Sequence, residues 1–157
     1  MSAPQDISQN KALLWFMAAA CGLCAGANYY SQPLIHSIQQ YFAVTESQAA
    51  LTVTFAQVSY ALGLLFIVPM GDVANKTKFI PLLMTLCAMG LFLSAFSVNL
   101  PMLWVGTVLV GLFSVAAQVL IPLATMTVQP EKTGEVVGFL MSGLLVGILL
   151  STSLAGL

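Results

Sequence analysis

Few side chains in this 157-residue sequence could do chemistry, and their types favour hydrogen bonding over bond making. Asn28, Gln57 and Gln118 place carboxamides inside long apolar runs, with Tyr29, Gln32 and Tyr60 close by in sequence. An unpaired amide in hydrocarbon costs several kcal/mol. Each must therefore bond a neighbouring helix or line a polar cavity, and the residues alone leave both outcomes open. Cys21-x-x-Cys24 has redox or metal-ligand spacing. Within an apolar helix and without histidine partners, it and Cys87 read as small packing residues, so no metal and no cofactor is expected. His36, the single histidine, reads as a solvated loop residue. No cluster of acid, base and metal ligand falls inside the apolar runs, so no catalytic residue and no enzyme activity are expected.

The elements that must hold these groups follow from charge. Soluble domains carry roughly 25% charged residues, whereas this chain carries 6%, with 59% hydrophobic residues and a mean hydropathy of +0.98. Charge-free windows of 34, 25, 52 and 22 residues separate Lys11, Glu46, Asp72–Lys78 and Glu131–Glu135. A helix rising about 1.5 Å per residue needs roughly 20 apolar residues to cross a hydrocarbon core about 30 Å thick. The 52-residue window is too long for one crossing and breaks at Asn99-Leu100-Pro101. The chain is thus expected to be all-α, a single membrane domain over 1–157 with five spans near 12–30, 50–70, 79–98, 102–128 and 136–157. Helices satisfy their own backbone groups in lipid, and the alternating segments of a membrane barrel are absent. Ala25-Gly26-Ala27 imitates a signal-peptidase site, but four spans follow and a retained first span is expected.

All four positive charges, Lys11, Lys76, Lys78 and Lys132, precede span 1 or lie between spans 2/3 and 4/5. The segments 31–49 and 99–101 carry none, which predicts a cytoplasmic amino terminus. The short turns 72–78 and 129–135 predict that spans 2/3 and 4/5 pack as antiparallel neighbours. No arginine occurs and the net charge is −1, so nucleic acid is not an expected partner. Thr45 and Gln48 have capping-box spacing at the start of span 2, with Glu46 suited to the positive end of the dipole. Thr107, Gly111, Ser114 and Gln118 share one face of span 4, which must meet protein or a water-filled cavity. Gly22-x-x-x-Gly26 and Gly143-x-x-x-Gly147 have the spacing of close helix packing.

The segment Gly63-Leu-Leu-Phe-Ile-Val-Pro-Met-Gly-Asp72-Val-Ala-Asn-Lys76-Thr-Lys78 resembles the signature loop of the major facilitator superfamily. Asp72 falls on its acidic position, and Lys76 and Lys78 on or near its basic ones; Val73 and Asn75 depart from it. Ala27-Asn-Tyr-Tyr-Ser-Gln-Pro-Leu34, Gln118-x-x-Ile-Pro122-Leu-Ala and the span 5 stretch from Gly138 through Gly147 are similar to a bacterial sugar- or drug-efflux subgroup. The resemblance implies a bacterial inner-membrane transporter that moves a small solute by alternating access. It also implies that the loop carrying Asp72, Lys76 and Lys78 has a gating role. Asn28, Tyr29, Gln32, Gln57, Tyr60 and Gln118 are then the expected substrate-cavity residues, with Gly22, Gly26, Gly143 and Gly147 serving helix packing. Where the family often carries a span 4 arginine this chain has Thr107, and Ser151-Thr152 stands where the subgroup has another, so proton coupling by that route is not expected. Family members have twelve spans in two halves of inverted three-span repeats. Five spans predict an amino-terminal fragment, inactive without the other half or a partner membrane protein. The alternative is a small membrane accessory protein with no transport of its own.

Overall fold

The computed structural model describes residues 6–157. Five helical stretches are long and apolar enough to cross a membrane, at Lys11–Tyr29, Glu46–Val73, Lys76–Ala95, Leu100–Met126 and Pro130–Ala155. The first is α1 (Lys11–Tyr29). A short α2 (Ile35–Phe42) precedes the second span, which comprises α3 (Glu46–Leu62), a π turn at Gly63–Ile67 and α4 (Val68–Val73). The third span is α5 (Lys76–Ala95); the fourth is α6 (Leu100–Phe113) followed by α7 (Ala116–Met126); the fifth contains α8 (Thr133–Ala155).

Side chains start these helices where the chain turns. Thr45 and Gln48 form the reciprocal capping box of α3 at 3.1 and 3.3 Å. Asn10, Asn75 and Asn99 each accept a backbone N–H in the first turn of α1, α5 and α6. These bonds satisfy donors that a helix start leaves orphaned. Segment 31–49 is not simply a loop. Ile35, Ile38 and Phe42 recur at helical spacing, so α2 packs an apolar edge against Ala49, Leu100 and Leu103. His36 lies on its exposed face, its Nε2 2.9 Å from the Gln40 amide nitrogen. Ala43 ends α2 in the left-handed conformation, φ 51°.

Packing follows small residues more than connectivity. The most extensive interfaces are α1 with α8, α5 with α6, and α3 with α6. Along the first, a Cβ on Gly22 would lie 2.6 Å from the Gly143 carbonyl oxygen, and one on Gly26 3.0 Å from that of Gly147. Along the second, Gly90 and Gly106 bring two backbones equally close. The expectation that spans 2 and 3 pack as neighbours is corrected: α4 meets α5 only beside the turn, where Gly71 faces Phe79. Spans 4 and 5 likewise touch far less than spans 1 and 5. A short turn constrains only the helix ends it joins, whereas backbone-to-backbone seams set the long interfaces.

The core is built from small side chains, with Cys21, Ala116, Ala117, Ala124 and Leu140 nearly sealed. The three cysteines are free and buried within the bundle. Large apolar side chains such as Phe66, Phe92, Leu145 and Leu149 point outward, a surface suited to lipid and not to water. The bundle gathers its positive charges at one end, where Lys132 Nζ lies 3.4 Å from Ser8 Oγ and Lys76 Nζ 3.8 Å from Met126 Sδ. There the Ser8 side-chain hydrogen bond, assisted by the Lys132 charge, holds the Asp6 carboxyl below the usual carboxylate range.

Candidate substrate cavity

Spans 2 and 4 both leave regular α geometry at the same level of the bundle. Span 2 does so in the π turn Gly63–Ile67, just before Pro69, whose missing N–H withdraws the bond expected by the Leu65 carbonyl. Span 4 does so at Ser114–Val115, where Ser114 Oγ donates back to the Gly111 carbonyl at 3.1 Å. The two breaks face each other. A Cβ on Gly63 would strike the Leu112 carbonyl and lie 2.9 Å from Val115 Cγ1.

Next to this crossing, Gln118 Nε2 donates to Tyr60 Oη at 3.1 Å, tying span 4 to span 2. Gln118 is also polar through its backbone, because Pro122 lacks the N–H that would bond the Gln118 carbonyl. Tyr29, half-buried, is the last residue of α1, and Gln57, half-buried, lies one turn before Tyr60 on α3. Two spans therefore bring Tyr60 and Gln118 together, with Gln57 one turn before Tyr60. Their donors and acceptors carry no formal charge, so the group offers hydrogen bonds and no ion pair.

The other sequence-predicted residues sit elsewhere. Asn28 is 2% exposed, and neither atom of its amide has a hydrogen-bond partner. Gln32 is exposed in the turn after α1. Asp72 and Lys78 are exposed at the lysine-bearing end, with Lys76 half-buried against Met126. The span 4 stripe divides: Thr107 and Ser114 are each 1% exposed and bond their own helix, while Gly111 is pressed onto Ala56 and Ser59 of α3. Only Gln118 of that stripe reaches another polar side chain. Sequence reasoning missed the bond from Trp104 Nε1 to Thr52 Oγ1 at 3.2 Å, although an indole and a threonine in facing spans are the groups to make one. Among the described residues no group of three or more His, Cys, Asp or Glu side chains is placed to hold a metal ion.

Among the described residues there is no strand, and five apolar spans, two of them broken beside a polar pair, define a polytopic membrane protein. The chain belongs to the major facilitator superfamily, whose family model matches residues 14–157, and its five spans make it a multi-pass protein of the bacterial inner membrane. It is 48% identical over 146 residues to the uncharacterized transporter YgaY of Escherichia coli, covering 93% of this chain and 37% of that protein. It is 28% identical over 142 residues to a probable transporter of Streptomyces coelicolor, covering 90% of this chain and 33% of that one. The chain thus spans about a third of the length of the curated relatives it matches. No solved structure matches it.

Proposed function

We propose that residues 1–157 supply one wall of the pathway of a facilitator that moves a small, weakly polar solute by alternating access. The observation that carries this reading is the Gln118–Tyr60 hydrogen bond, set where spans 2 and 4 both break their helices. Broken helices free backbone acceptors inside the membrane, and such freed groups are tolerated where they line a cavity or are buried in protein. Tyr29 and Gln57 are assigned to the same wall, and Asn28, whose buried amide has no partner, is a reserve donor and acceptor near the end of span 1. Gln32 then stands at the outer mouth. Asp72, Lys76 and Lys78 act as a gating loop at the opposite end, which is the cytoplasmic end if lysine sidedness sets orientation. Thr107 is sealed and bonded to the Leu103 carbonyl at 2.8 Å, so no proton relay passes through it.

The second wall comes from further membrane helices of the complete transporter or from a partner membrane protein. Residues 1–157 by themselves then carry no solute. The test compares cells expressing the 157-residue chain with cells expressing it joined to the remaining spans of the transporter, across a panel of sugars and toxic compounds. Altered accumulation of at least one compound by the joined form alone, cancelled by Gln118→Leu, is expected. Saturable flux by the purified 157-residue chain, or full activity of the joined Gln118→Leu variant, overturns the reading. Activity in neither form favours the accessory-protein alternative.

A further inference from the structure

At the lysine-bearing end of the bundle, a cavity of about 500 Å³ opens between the starts of α1 and α8. Neither Tyr60 nor Gln118 lines it. Its mouth carries three charges, Lys11, Lys132 and Glu135, together with the Ser8 hydroxyl, which Lys132 Nζ approaches to 3.4 Å. That contact holds the ammonium on the cavity wall and leaves it N–H donors to spare, since an ammonium has three. Asp6 does not line the cavity; its carboxylate accepts the Ser8 N–H at 3.0 Å. One helical turn further into the bundle the lining becomes apolar. Trp15 follows Lys11 by four residues on α1, and Phe139 follows Glu135 by four on α8, so each ring starts about 6 Å deeper than the charge on its own helix face. The two rings meet edge to face at 5.0 Å and close the space between the helices. Trp15 keeps 66% of its surface open.

That gradient selects the ligand. A soluble anion would use the lysines alone, whereas a molecule with phosphate at one end and hydrocarbon at the other uses the whole wall. Two ammonium groups and one carboxylate match a headgroup that carries both a phosphate and a primary ammonium. A wholly anionic headgroup sets its charge against Glu135, and a quaternary ammonium has no N–H to give that carboxylate. The glycerol and upper acyl chain then rest on Trp15 and Phe139, at the depth where aromatic rings meet the membrane interface. Basic pockets between spans are suited to lipid headgroups in the same way. We propose that the cavity between α1 and α8 seats one phosphatidylethanolamine molecule of the adjoining leaflet, its phosphate on Lys11 and Lys132 and its amine on Glu135. The seat depends neither on any transported solute nor on which side of the membrane this end faces.

Trp15 supplies the readout, and Trp104→Phe removes the other indole. The purified chain is placed in phosphatidylcholine nanodiscs that contain a minor fraction of one lipid brominated in its upper acyl chain, which quenches an indole it touches. Brominated phosphatidylethanolamine should occupy the seat about fivefold more tightly than brominated phosphatidylcholine, as one charge-assisted contact near the surface provides. Brominated phosphatidylglycerol should not share that preference. Glu135→Gln should abolish the preference for the ethanolamine over the choline lipid. Lys132→Gln should reduce the preference for the ethanolamine lipid over brominated diacylglycerol, which lacks the phosphate. Both preferences should survive millimolar phosphoethanolamine, a soluble headgroup with no chain to bury. Equal quenching by the ethanolamine and choline lipids, an equal preference for phosphatidylglycerol, an unchanged preference in either glutamine variant, or displacement by phosphoethanolamine overturns the proposal, and Trp15 and Phe139 are then ordinary interfacial anchors.

Discussion

Replacing Gly22 with alanine tests whether backbone contact between spans 1 and 5 holds the bundle together. The new Cβ would lie 2.6 Å from the Gly143 carbonyl oxygen and 3.4 Å from Gly147 Cα. The first of these atoms is backbone, so no side chain can swing away to make room. Restoring ordinary contact, from 2.6 Å to 3.4 Å, requires α1 and α8 to part locally by about 0.8 Å. A gap of that size forfeits roughly a quarter to a half of each dispersion contact it opens. Overpacking in a closed interface typically costs about 1–3 kcal/mol. A loss of about 2 kcal/mol lowers the folded-to-unfolded ratio roughly thirtyfold. Gly138→Ala, in the same helix α8, is the matched control, since its Cβ would meet nothing within 4 Å. There the helix-propensity gain of alanine, up to about 1 kcal/mol, acts alone. Unfolding of the purified chain in mixed micelles of mild detergent and dodecyl sulfate reads both variants against the parent. Opposite signs are expected: Gly22→Ala less stable, Gly138→Ala as stable or more so. A Gly22→Ala protein as stable as the parent would refute the close seam.

Three further outcomes follow from other contacts. Thr52→Val removes the acceptor of Trp104 and should destabilise the chain by about 1 kcal/mol while shifting indole emission to shorter wavelength; an unchanged spectrum argues against the bond. Ala43→Gly should stabilise by about 1 kcal/mol, because alanine is held at φ 51° where glycine is at ease, and the melting temperature checks it. The native cysteines are at most 4% exposed and should stay silent towards a membrane-impermeant maleimide. Ser47→Cys should then label in intact spheroplasts and Thr77→Cys only after permeabilisation, and the reverse pattern would invert the proposed orientation.

The two levels of description part at identifiable residues. Nine charges, spaced by apolar windows, already require five helices in a bilayer, and Thr45 with Gln48 marks where the second begins, because caps and hydropathy are local properties of a few neighbouring residues. The amphipathic α2 was equally local, but eight residues with one apolar edge are easily taken for a loop. The glycine pairs announced close packing without naming the partner, since Gly22, Gly63, Gly90, Gly106 and Gly111 all advertise the same small surface. Only the assembled bundle joins span 1 to span 5 and span 2 to span 4, seals Thr107 and Ser114 into the seam between spans 2 and 4, and leaves Gln118 to meet Tyr60 across 58 residues. A hydrogen bond between distant helices depends on their relative rotation and depth, which the packing of every span sets together and no stretch of sequence encodes alone.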